Sequence, residues 1–324
     1  MIPAMLRGLL AAAILSFAAT AAAQTKWDMP TPYPDSNFHT KNDQWFADQV
    51  KQATGGKLDI VIHSNGSLIK MPEITRAVQS GQVNIGEILM SVLSNSDPIF
   101  GVDSIPFLAP NYKAARKLWN IARPYVAKRL EQRGITLLYS VAWQPQGIYT
   151  KKPITSTADL KGTKFRTYSP TTSEFAKLIG AVPTTVQAPD VPQAFLTGLV
   201  DAMITSSATG VDTQAWDYLK HYYNVQAFLP LDIIMVNKNA FDALDAKTRK
   251  SIKEIAAKAE EKGWATSSAE NDDLLKTMSQ HGIHVEAPNA KLKQQLDAIG
   301  KKMAENWAKK AGSDGAAILA AFRK

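Results

Sequence analysis

The 324-residue chain contains no cysteine. That absence excludes disulfides, thiol nucleophiles, thiolate metal ligands and a lipid-anchoring cysteine. Histidine is scarce: His39, His63, His221, His281 and His284 are the five. None falls in the His-Glu-x-x-His spacing of zinc hydrolases. His281 and His284 flank Gly282 and lack a carboxylate placed as a third ligand. Gly-x-Ser-x-Gly, Gly-x-Gly-x-x-Gly and P-loop patterns are also missing. These absences do not exclude an enzyme but make one less expected, and no catalytic residue, metal or cofactor is singled out.

Long apolar runs are absent beyond the N-terminus. Met1–Arg7 carries one cation, Gly8–Ala19 is apolar, and Ala21-Ala22-Ala23 suits a small-residue cleavage site. This is the build of a signal peptide over 1–23, with Gln24 as the first mature residue and the periplasm as destination. The formal charge of +8 becomes +7 without Arg7 (36 Lys and Arg against 29 Asp and Glu). Its cations are dispersed over helix-like faces such as 247–262 and 291–310, so a nucleic-acid partner is not expected.

What the chain has is alternation. Strand-like runs at 57–62, 84–88, 135–142, 146–150, 200–204 and 232–236 are interleaved with helical patterns at 72–80, 112–133 and 192–197. The order argues for an α/β fold with largely parallel sheets and enough residues for two domains. Residues 246–280 form one proline-free helical pattern. At 1.5 Å per residue it would span about 50 Å, so it must brace more than one domain or bend near Gly263. A last helix is expected over 290–309.

The segment Asp159-Leu160-Lys161-Gly162-Thr163-Lys164-Phe165-Arg166 carries the most specific chemistry. Phe165 belongs to a short strand, Arg166 to its end, and a helix follows Thr167-Tyr168-Ser169-Pro170. A strand end that feeds a helix is where α/β proteins hold ligands. The guanidinium there offers a two-point match to a carboxylate.

Several segments together resemble the periplasmic substrate-binding subunits of tripartite ATP-independent periplasmic (TRAP) transporters. They are Thr54–Ile60, Asn65–Leu68, Val78–Gly86, the Ile105-Pro106-Phe107-Leu108 turn, Asp159–Arg166 and Gln193–Asp201. The resemblance implies a two-lobed fold with a ligand cleft between lobes, hinge strands and a long lobe-spanning helix. The lobes are expected at 24–145 with 235–275, and at 146–234 with 276–324. It also implies that Arg166 holds a ligand carboxylate, and that the closed receptor delivers its cargo to integral membrane transporter subunits without chemistry of its own. The default state is a monomer.

Departures from the family pattern shape the ligand expectation. Tyr149 stands where many relatives carry a second cleft arginine, and the run Asp201–Gly210 lacks a familiar Asn and Glu and has small hydroxyl residues after a strand instead, Ser206 and Ser207 among them. One cation beside hydroxyls points to a hydroxy or keto monocarboxylate. Further contact candidates are Tyr33, His39, Glu73, Ser91, Trp143, Gln146, Tyr168 and Trp216. Alternatives are an aromatic monocarboxylate, a dicarboxylate, a periplasmic enzyme using Ser207 or His39, and a sensor subunit.

Overall fold

The computed structural model describes residues 24–324; the signal-peptide reading of 1–23 lies outside them. The first lobe begins with β1 (Thr25–Pro30), α1 (Phe38–Ala53) and β2 (Leu58–His63), with β2 parallel to β1. α2 (Met71–Ser80) buries Met71, Ile74, Ala77 and Val78 and stops at Gly81, whose left-handed backbone suits glycine. β3 (Ile85–Leu89) follows, buried along its whole length. α3 (Tyr112–Glu131) hides Ala115, Leu118, Trp119, Ala122, Val126 and Leu130 at helical spacing, then β4 (Ile135–Ala142) runs toward the second lobe.

That lobe starts at β5 (Gly147–Thr150) and β6 (Lys164–Thr167). α4 (Pro170–Leu178) opens on a Ser169–Thr172 capping box with proline in its first turn. β7 (Val182–Thr185), α5 (Val191–Leu196), β8 (Ala202–Thr205), α6 (Ser207–Asp212) and β9 (His221–Tyr223) complete the stretch. The chain then returns as β10 (Leu231–Asn237) and short α7 (Lys238–Asp242). α8 (Ala246–Gln280), β11 (His284–Glu286) and α9 (Ala290–Arg323) end it.

The sheets are mixed, which corrects the expectation of largely parallel ones. β10 lies between β3 and β4 and runs antiparallel to both. In the six-stranded sheet β11-β9-β5-β8-β6-β7, β5 is antiparallel to β8 and β9, while β6 is parallel to both its neighbours. The cause is the crossing. A strand arriving from the other lobe enters from the cleft side, opposite to strands delivered by local helices. The two crossings hold each other: Trp143 N donates to Pro230 O at 2.9 Å, and Gln146 and Ala227 exchange further backbone bonds with Phe228 and Gln146.

α8 is a continuous 35-residue helix and does not break at Gly263. Glycine is required there for another reason: a Cβ would meet Val141 Cγ2 at 2.5 Å. The helix packs on α1 and β4 in one lobe and on α6 and β11 in the other. α9 reaches 323 rather than 309, with one non-helical residue, Gly312. Leu292, Leu296 and Met303 join the second lobe's core, whereas Trp307, Ile318 and Leu319 pack with the first. Residues 276–324, expected wholly in the second lobe, thus contribute to both cores.

Candidate ligand-binding site

Side chains alternate along β6. Phe165 faces the second lobe's core and Arg166 faces the opposite way. Arg166 is only 2% exposed. Its Nε donates to Val186 O at 2.9 Å, and its Nη1 has no partner. The Tyr168 ring lies 4.9 Å from the guanidinium carbon, within cation–π range. Burial lowers the Arg166 pKa to about 10, so the group stays cationic near neutral pH. A buried cation without a counter-ion is costly unless an anion joins it.

Arg166 projects into a narrow cavity of about 30 Å³ between the lobes. Tyr33, Met71 and Leu89 line it from the first lobe, and Trp143, Gln146 and Pro230 from the crossings. The second lobe supplies Arg166, Tyr168, Ala188, Thr205, Ser206 and Thr209. Arg166 is the single charged residue of this lining. Tyr168 donates its hydroxyl to Gln146 Oε1 at 2.9 Å, and Gln146 Nε2 donates to Gln144 O at 2.9 Å. Tyr33 and Trp143 meet edge to face with centroids 4.8 Å apart. Both donate to Asp232 Oδ1, at 3.1 and 3.0 Å. The cleft is thus one cation, a set of neutral hydroxyls and amides, and an aromatic wall.

Six of the twelve candidate residues line this cavity: Arg166, Tyr168, Trp143, Gln146, Tyr33 and Ser206. The other six lie elsewhere. Tyr149 is fully buried in the second lobe, packs at a tilt against Tyr222 and donates to Ser206 O at 2.8 Å. Ser207 is buried, with its Oγ against Asn271 Oδ1 of α8 at 3.0 Å. His39 packs behind Trp143, with centroids 4.4 Å apart. Glu73 is exposed on α2. Ser91 is buried after β3, its hydroxyl without a partner. Trp216 is half-buried and stacks on His281 at 4.1 Å.

Several lining residues escaped the sequence reading: Met71, Leu89, Ala188, Thr205, Thr209 and Pro230. Thr209 had a usable signal. Ser206 caps α6 by accepting the Thr209 N–H at 3.0 Å, so positions 206 and 209 share a side while Ser207 turns toward α8. The single cation is therefore a property of the cavity lining, to which Tyr149 does not contribute. An arginine absent from position 149 says nothing about a cavity that Tyr149 does not line.

Comparison with known proteins agrees with this geometry. Residues 31–310 match the family described as bacterial extracellular solute-binding protein, family 7. The crystal structure of DctP7 of Bordetella pertussis, an extracytoplasmic solute receptor binding pyroglutamic acid, is 52% identical with a TM-score of 0.92. That match covers 93% of this chain and 100% of the other. A TRAP solute-binding protein from a marine metagenome, specific for pyroglutamate, is 40% identical over 93% of this chain and 99% of that one, with a TM-score of 0.91. The C4-dicarboxylate-binding periplasmic protein DctP of Rhodobacter capsulatus is 27% identical, covering 73% of this chain and 72% of its own length.

Proposed function

The chain belongs to family 7 of the bacterial extracellular solute-binding proteins, the receptor subunits of TRAP transporters, and we propose that it captures pyroglutamate or a close monocarboxylate analogue. The carrying observation is Arg166, a buried guanidinium with a free Nη1, alone in its charge among the cavity residues. One carboxylate neutralises it. No second cation lines the cavity to neutralise another carboxylate. The cavity, about 30 Å³ in volume, is tight, which favours a small ligand over a large one. Thr205, Ser206, Thr209 and Tyr168 supply hydroxyls for the lactam or for an equivalent hydroxy or keto oxygen. The pyroglutamate receptors at 52% and 40% identity favour the same ligand class over the dicarboxylate receptor at 27%.

In this reading the protein acts without catalysis, as an exported monomer whose lobes close on the ligand before docking with the membrane subunits. Among the described residues no helix is long and apolar enough to cross a membrane. The N-terminus of the exported form is expected at Gln24. Calorimetric titration of residues 24–324 with L-pyroglutamate, lactate, succinate and phenylacetate tests the ligand. One-to-one binding led by pyroglutamate or lactate, with ligand recovered intact, is the expected result. Succinate binding more tightly than every monoacid would overturn the single-carboxylate reading.

A further inference from the structure

Behind the aromatic wall of the cleft is a second polar cluster. His39 on α1, Glu87 on β3 and Asp232 on β10 are all buried, and a nitrogen or oxygen from each lies within 4.8 Å of the other two. His39 Nδ1 is 3.4 Å from Glu87 Oε1 and 4.0 Å from Asp232 Oδ2. We propose that His39 Nδ1, Glu87 Oε1 and Asp232 Oδ2 form a binding site for one divalent metal ion of the zinc class.

The hydrogen bonding around the cluster carries the argument. Glu87 Oε2 accepts from the Thr31 hydroxyl. Asp232 Oδ1 accepts from both Tyr33 and Trp143. The carboxylates are thus held from outside by three neutral donors, as surrounding groups hold metal ligands. The atoms left over, His39 Nδ1, Glu87 Oε1 and Asp232 Oδ2, have no partner, and they are the three that converge. A neutral imidazole and two carboxylates suit a zinc-class dication, and two negative charges cancel its two positive ones. Bonds of about 2.0–2.2 Å at a tetrahedral angle set donors about 3.4 Å apart; the His39–Glu87 edge is already at 3.4 Å, and the His39–Asp232 edge, at 4.0 Å, would close slightly on an ion. The backbone favours the arrangement: β10 pairs Asp232 with Leu89 and Ile234 with Glu87, which puts Glu87 and Asp232 diagonally on one sheet face.

The competing account is that protons, not a metal, neutralise these carboxyls, and the two differ in stoichiometry. Tag-free residues 24–324 would be stripped with chelator, equilibrated with zinc chloride, desalted and assayed for metal by mass spectrometry. A surface site at His221, His284 and Glu286 is the obvious decoy, since His221 is 3.1 Å from Glu286 and stacks on His284. One zinc per chain is expected in the wild type and in His284→Ala, and none in Glu87→Gln. No retained zinc in the wild type, or retention in Glu87→Gln with loss in His284→Ala, overturns the proposal. Should Glu87→Gln fail to fold, cobalt-loaded wild type decides by proton resonance. The Trp143 indole N–H, bonded to Asp232, should shift strongly, and an unmoved Trp143 signal overturns the site. Only the consequence for ligand binding, a Tyr33–Trp143 wall stiffened by the metal, rests on the cleft reading; the metal count does not.

Discussion

Arg166 donates its Nε–H to the carbonyl of Val186, 2.9 Å away just beyond β7, while its Nη1 has no partner. One edge of the guanidinium is tied to backbone and the other is left for a ligand. Arg166→Met should therefore weaken pyroglutamate binding by about 100-fold or more, the scale of losing one partner of a buried charge pair. Without ligand the same variant should melt about 2 °C or more above the wild type, because a buried, unpaired charge has been removed. Titration calorimetry and thermal melting read the two effects. Retained affinity with a lowered melting temperature would remove Arg166 from its role as anchor.

Closure has a second handle. Asn37, which caps α1, donates its side-chain amide to Asp212 Oδ2 at the end of α6 across 2.6 Å. The bond ties the first lobe to the second. Asp212→Ala leaves the α1 cap in place and removes the tie, worth about 1 kcal/mol. Stopped-flow measurement should show ligand dissociating about fivefold faster with little change in association. An unchanged off-rate would mean that this contact does not hold the closed form.

The long helix is sensitive at Gly263. A Cβ there would meet Val141 Cγ2 at 2.5 Å and Cγ1 at 2.8 Å, both on β4. Although alanine favours helix, Gly263→Ala should destabilise the protein by about 1–3 kcal/mol, the usual range for overpacking a core. Urea denaturation checks this. A stabilised variant would show that β4 can yield.

Asp103 should make stability depend on pH. Its Oδ2 accepts the Leu231 N–H at 2.8 Å and its Oδ1 accepts from Ser104 at 2.9 Å. Burial nonetheless raises its pKa to about 7. A carboxyl with a raised folded-state pKa stabilises fully below its unfolded value, near 3.9, and loses that contribution as pH rises through the folded value. Between pH 5.5 and 8 the wild type should lose on the order of 2 kcal/mol more than Asp103→Asn. Parallel slopes in urea denaturation would contradict this.

Arg166 is legible in the sequence because its cue is local: a strand end, a glycine turn and a capped helix lie within a dozen residues. Tyr149 is not legible. Which face of β5 it occupies depends on β8 and β9, strands that lie more than fifty residues away. Ser206 and Ser207 are adjacent and chemically alike, yet the cap of α6 turns one to the cavity and the other to Asn271. Antiparallel β10 is equally hidden. Its apolar run announces a buried strand but not the direction from which it enters.

Sequence by itself determined the order of elements, the long helix, the family and the strand-end position of Arg166. Each is carried by composition, by periodicity or by motifs along the chain. Only the tertiary structure decided which hydroxyls share the cavity with Arg166 and why Gly263 must be glycine. It alone brought His39, Glu87 and Asp232 together from positions nearly two hundred residues apart. Strand order, register and the crossing of the lobes set those neighbours, and spacing along a chain does not encode distances across a sheet.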